Sequence, residues 1–446
     1  MRIRKFFFRT FLVLLVLAAL VLILRTGVNI VEGKRLAAAL GDLEAKGVTL
    51  AAKDVVPACP EADNGARLWK AAENLAIFNA EDTKLLRNIY LSLGHGEEIP
   101  ADLRASAAAL IEKNRKALDL LPDIAAKPCY RYDDPARADW PRINIPNAAK
   151  MLLLTRLLVI EAVDLSQKGD LPGALEKVRI GLRFSPKVTG EALLITYLVG
   201  LADERFSLLF LNKVLSGRDA SEDLLRPFLD DLGDAMIEAW RDRMKLSIRG
   251  ERIIFAGSGT KPLSEILESA SVEAALPKRM FYWLILPLAK RDIRENIGIY
   301  AELEEKAALP YYKTRNYWKS AADRAAALPW YAVLSKAMGL NMEATFMKVA
   351  LMESLALTGR AAIACRIYKI HNRQYPDTLD ALVPGLLSAV PIDPFTGKPL
   401  VYRREGEGFI VYSLGTNQKD DGGRMTWEVT QLVADKDDDW TWRERK

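Results

Sequence analysis

The alternation of apolar and polar positions divides the chain into three regimes. Residues Phe6 to Leu24 read FFFRTFLVLLVLAALVLIL, an apolar run interrupted only by Arg9. From Val31 to about Gly339 apolar residues recur at three-to-four spacing, the period of amphipathic helices. Beyond Gly359 a helical stretch gives way to short alternating runs separated by Gly and Pro, the pattern of a β-hairpin. The predicted fold is mostly α, built of stacked helical hairpins. A small C-terminal α+β module of about three antiparallel strands and one N-terminal transmembrane helix complete it. The corresponding divisions are residues 1–30 (cytoplasmic stub and anchor), 31–340 (helical extracytoplasmic body), 341–432 (α+β module) and 433–446 (polar tail).

A bilayer core takes about 20 apolar residues as helix. The run reaches that length once Arg9 snorkels its guanidinium back to the headgroups. Arg2, Arg4, Lys5 and Arg9 favour an N-terminus inside and everything after the helix outside. A cleaved signal peptide needs small residues directly after the apolar run. Here Arg25-Thr26-Gly27-Val28 follows, and the cluster Ala37 to Ala39 lies far downstream. The reading is therefore a retained signal-anchor, single-pass in the cell inner membrane, contacting the lipid bilayer through residues 6–24 with a periplasmic body.

In the body, helices are predicted over Val31 to Lys46, Asn64 to Ala80, Ala101 to Leu121, Ala148 to Lys168 and Leu171 to Phe184. Others are predicted over Gly190 to Leu215, Ser221 to Ile253 and Asp292 to Ala308. Met280 to Ala289, MFYWLILPLA, is too short to span a bilayer. It is either buried core or a surface that touches membrane or partner, with Lys278, Arg279, Lys290 and Arg291 flanking it.

Composition narrows the function. At roughly 150 residues per domain, 446 residues allow two to three domains. The formal net charge of +5 owes four units to the N-terminal segment, so no basic surface for nucleic acid remains. Two histidines, His95 and His371, have no partner spacing, and His95 in LGHGEEIP reads as a surface loop. Three cysteines exclude a dense disulfide scaffold. Cys59 and Cys129 lie in Pro-rich, turn-like surroundings and either pair in an oxidising compartment or sit as small buried residues; Cys365 reads as core. No nucleophile elbow, zincin, Walker or dinucleotide motif is present. The leading reading is a non-catalytic scaffold or binding protein of the cell envelope, with an envelope protein partner on the helical body. The alternative is an envelope hydrolase, for example glycan-acting, whose carboxylate spacing is a three-dimensional property.

Two stretches carry resemblances. Residues 155–188, TRLLVIEAVDLSQKGDLPGALEKVRIGLRFSPKV, resemble one tetratricopeptide repeat. Ala162 and Ala174 stand at the helix crossing, Gly169-Asp170 at the turn and Pro186 at the end, with Glu161 where that family usually has leucine. An ordinary αα-hairpin gives the same pattern, and either needs neighbours to bury its apolar face. The order YP, LxxLVPxLL, DPxxGKPLxY, FxxYSLGxN and DDGG over residues 361–423 resembles the globular domain of type II secretion major pseudopilins. That resemblance implies secretion or pilin-like machinery and a calcium-binding loop at Leu414 to Gly423. Asn417, Asp420 and Asp421 are its possible oxygen ligands; a solvated acidic turn is the plainer reading. Here no pseudopilin-type leader stands before the apolar run. The whole chain also resembles uncharacterised membrane-anchored helical envelope proteins of environmental bacteria that end in this module. Met425 to Leu432 alternates as a third strand, and the tail with Asp437 to Asp439, Trp440 and Trp442 reads as a loosely held end.

Overall fold

The computed structural model describes residues 2–51, 55, 59–95, 98–131, 148–188, 192–260, 276–337, 342–425 and 439–444. Helix α1 (Arg2–Ala45) runs unbroken for 44 residues, so anchor and first body helix are one element rather than two. No proline interrupts it, and its apolar side chains from Phe11 to Leu24 are mostly exposed. Burial begins only at Glu32 and Leu36, where α1 meets the body. At 1.5 Å per residue the apolar run is about 28 Å long, and it is apolar enough to span a membrane.

The body begins with a small helical group: α2 (Ala66–Leu75), α3 (Ala80–His95), α4 (Ala101–Lys113), α5 (Arg115–Leu118) and α6 (Leu121–Ala126). Its two ends are joined by a disulfide between Cys59 and Cys129. Asn64 reinforces this closure, accepting from Arg131 N–H at 2.9 Å and donating to Arg131 C=O at 2.7 Å. The single helices expected over 64–80 and 101–121 are broken. Asn79 ends the first linker by capping α3, and Asn114 turns its side chain into the backbone of Ile77. His95 is the last residue of α3.

Next come α7 (Ala148–Gln167), α8 (Leu171–Val188) and α9 (Leu194–Leu215), each packed on the other two. Gly169, at φ +89°, makes the α7–α8 turn, and Asp170 accepts from Gly173 N–H to start α8. Ala162 and Ala174 are fully buried at the crossing. Pro186 lies inside α8 rather than ending it. Glu161 is held by Arg115 at 2.6 Å and Lys177 at 3.0 Å, which explains a carboxylate among apolar neighbours.

Helices α10 (Glu222–Asp231), α11 (Asp234–Thr260), α12 (Leu276–Ala307), α13 (Tyr311–Ala326) and α14 (Val333–Ala337) lead to α15 (Met342–Asn372). Met280 to Ala289 is thus the early part of α12, a helix that starts 16 residues before the expected Asp292. α12 runs parallel to α1: Arg25 meets Trp283, and further along Glu32 meets Arg294. The long α15 is buried along most of its length, packing on α9, α10, α13 and the sheet.

The sheet has the antiparallel order β1-β2-β3, with β1 (Val401–Glu405), β2 (Gly408–Ser413) and β3 (Trp440–Glu444). The third strand among the described residues lies beyond the expected 425–432, of which residues 426–432 lie outside the described residues. It comes from the tail, which is therefore not a loose end over 440–444: Trp440 pairs with Ser413 and Glu444 with Phe409. Burial explains the difference, because Trp440 and Trp442 alternate with polar residues and both face the core. One continuous apolar cluster runs from Leu36 to Trp442, so the helical body and the C-terminal module share a core.

Candidate functional site

Three places gather polar groups beyond what packing requires: the DPF turn with the acidic loop beside it, the cleft where sheet meets body, and the buried charges between helices.

Asp393 of the DPF turn is buried and fully engaged. One carboxylate oxygen accepts from Phe395 N–H at 2.9 Å and Ser413 Oγ at 2.8 Å. The other accepts from Leu414 N–H at 3.1 Å and Thr396 Oγ1 at 3.2 Å. The DPxxG and YSLG motifs are therefore two halves of one lock, with the carboxylate as bolt. Gln418 ties the same turn to the loop by donating to Phe395 C=O at 2.8 Å, and Arg315 of α13 donates to Gln418. Gly397, at φ +73°, lies against the Tyr312 ring so closely that a Cβ would clash. The module is thereby docked on α13.

In the loop Leu414 to Gly423, Asp420 accepts from Tyr412 OH and Gly422 N–H, both at 2.9 Å. Asp421 accepts from Asn417 Nδ2 at 2.8 Å, so Asn417 turns its amide nitrogen and not its oxygen toward Asp421. The oxygen of Asn417 is used by Lys419 N–H. A residue that sequence reading passed over sits at the centre: Asp439, fully buried, accepts from Gly423 N–H at 2.8 Å and Asp421 N–H at 3.1 Å. Its other oxygen has no hydrogen-bond partner. Burial, then the charges of Asp421 and Asp420, push its carboxyl up to about 6 against the Gly423 hydrogen bond. Gly422 and Gly423 both take φ +74°, and a Cβ on Gly423 would strike Ile410. The DDGG sequence is thus required by the turn as well as by charge. Among the described residues no three Asp, Glu, His or Cys side chains converge as a metal-ligand set.

The cleft, about 420 Å³, opens between the α9–α10 connection, the end of α15 and the β1–β2 turn. Arg366 forms its floor. It donates to both oxygens of Glu444, at 2.6 and 3.0 Å, and to Leu215 C=O and Arg218 C=O. Lys369 lies 4.4 Å from the Tyr375 ring centroid, a cation–π arrangement on one wall. Asp219, Leu225 and Ile370 complete a mixed polar and aliphatic lining. At its rim His371 meets Glu222 at 2.6 Å.

Between the helices, buried carboxylates are mostly matched. Glu204 takes both Arg243 and the Trp240 indole N–H, and Glu353 takes Arg241 through two bonds. Arg291 pairs with Glu295 one turn on at 2.8 Å, and Arg252 pairs with Glu304 rather than with its neighbour Glu251. Asp203 differs: it is fully buried, with the Thr155 hydroxyl as its near donor and no ion pair formed among the described residues. Burial raises its carboxyl well above the usual range, against the charge of nearby Arg156.

No protein-family model, no curated protein and no solved structure matches the chain.

Proposed function

We propose that the chain is a membrane-anchored, extracytoplasmic scaffold or binding protein of the bacterial cell envelope. The observation that carries this reading is the form of α1: an exposed apolar run continuing, without a break, into a helix docked on α12. A rigid continuation of that kind holds a folded body at fixed distance and angle from a bilayer. The basic residues before the run support a body on the far side of the inner membrane. The Cys59–Cys129 disulfide is consistent with an oxidising compartment. The cleft above Arg366 is the place offered to a ligand or an envelope partner, and its lining suits a small group with both charge and aliphatic surface.

The pseudopilin-like order of motifs supports an association with secretion or pilin-like machinery, and calcium belongs to that proposal. The unpartnered oxygen of Asp439, pressed by Asp420 and Asp421, is the feature a divalent cation relieves.

Alkaline carbonate extraction of membranes tests the anchor. The full chain is expected in the pellet, and a chain lacking residues 2–31 in the soluble fraction. Release of the full chain by carbonate overturns the reading.

A further inference from the structure

We infer that α12 makes a second contact with the bilayer: its first turns lie in the headgroup–acyl boundary of the leaflet that α1 leaves on the body side. This rests on the reading of α1 as a membrane span and adds to it a surface that the anchor alone does not need.

The register comes from paired residues. Arg25, the first charge after the apolar run of α1, donates to Trp283 C=O through Nε at 3.2 Å and Nη2 at 2.9 Å. The same guanidinium lies 4.0 Å from the Trp283 ring centroid. Further along, Glu32 holds Arg294 at 3.2 Å, so the two helices stay parallel and in step. Position 283 is thus level with the end of the apolar run. At 1.5 Å per residue, the start of α12 at Leu276 lies about 10 Å nearer the bilayer midplane than Trp283.

The surface matches that depth. Met280 is 63% exposed and Leu284 is 48% exposed, one turn apart on one face. At the same level α1 exposes Leu20, Val21, Ile23 and Leu24. Two exposed apolar side chains level with the end of a membrane span belong to the same solvent as the span. Pro287 accounts for the clamp: it lacks the N–H that would meet Trp283 C=O, and Arg25 supplies the missing donor. A charge at this level is thereby matched to a carbonyl and a ring.

The test is spin-label accessibility in the full chain, reconstituted in phosphatidylcholine–phosphatidylglycerol vesicles. Single variants Met280→Cys, Leu284→Cys, Leu17→Cys and Lys116→Cys are labelled in turn. The native thiols do not compete, because Cys365 is fully buried and the other two are bonded together. Collision with oxygen, which partitions into lipid, is compared with collision with an aqueous nickel chelate. The expected result is a several-fold excess of oxygen over nickel at 280 and 284, of the same sign as at 17 and opposite to 116. If 17 reads lipid while 280 and 284 read water, the second contact is wrong and the anchor stands. If 17 also reads water, the anchor reading falls and this inference with it.

Discussion

Arg25 donates two hydrogen bonds to the main-chain carbonyl of Trp283, the carbonyl that Pro287 leaves without its helical donor. A proline defect in one helix is filled by a side chain from another, 258 residues away in sequence. The bond fixes the apolar segment of α1 to the body at the level where the apolar run ends.

That relationship predicts a thermodynamic coupling. Arg25→Ala strands a part-buried carbonyl and is expected to cost about 1–3 kcal/mol. Pro287→Ala returns an N–H to the helix, so the cost of Arg25→Ala should fall by about 1 kcal/mol or more in that background. Urea unfolding of the detergent-solubilised full chain gives the four midpoints of the cycle. Equal costs in both backgrounds would show that the carbonyl is not what Arg25 serves.

Arg366 is the corresponding pin between module and body. Arg366→Ala removes the buried partner of half-buried Glu444 together with the donors to Leu215 and Arg218 C=O. Breaking a buried pair from one side costs about 3–5 kcal/mol. The double change Arg366→Met with Glu444→Met should recover much of the loss. Thermal melts of the three proteins decide it; a single variant as stable as the parent contradicts the assignment.

Asp439 predicts the direction of a pH dependence. Burial pushes its folded carboxyl up to about 6, above the 3.8 usual for an aspartate, so the folded state binds more protons between those values. Its contribution is favourable below about 4 and is lost as pH rises through about 6. Asp439→Asn should therefore flatten the stability profile in this window, measured as the difference between variant and parent from pH 3.5 to 7.5. If calcium occupies the loop, millimolar calcium restores the parent's stability above pH 6 and leaves Asp439→Asn unmoved. No response of the parent removes calcium from the proposal.

The Cys59–Cys129 bond closes a sequence separation of 70 residues. On the chain-entropy account its removal costs about 4 kcal/mol. Cys59→Ser with Cys129→Ser should lower the melting temperature, and reductant should lower the parent toward the variant. A parent insensitive to reductant and equal to the double variant would mean the bond is not formed.

Much of the architecture was legible because it rests on periodicity. The apolar run, the α7–α8 hairpin and the β1–β2 hairpin each declare themselves by spacing and by Gly at a turn. What stayed hidden depends on long-range partners. α13 is rich in Tyr, Trp and charge, and reads as helix only once Trp318 is seen stacked on Phe346 at 3.6 Å. The acidic tail looked solvated, yet its WTWRE alternates in strand period, and that alternation was the signal available for β3. Asp439 gave no signal of its own. A carboxylate becomes a buried acceptor only when the Gly422-Gly423 backbone folds against it, which no local pattern announces.

The central claim is that one helix crosses a membrane and leaves the body on the far side. It is tested most directly by thiol labelling in intact cells with a membrane-impermeant maleimide that enters the periplasm, using Lys116→Cys on the exposed face of α5 and Lys5→Cys before the apolar run. The account predicts that position 116 labels in intact cells and position 5 only after lysis. Labelling at position 5 with protection at 116 would invert the topology, and equal labelling of both only after lysis would leave the chain inside the cell and contradict the account.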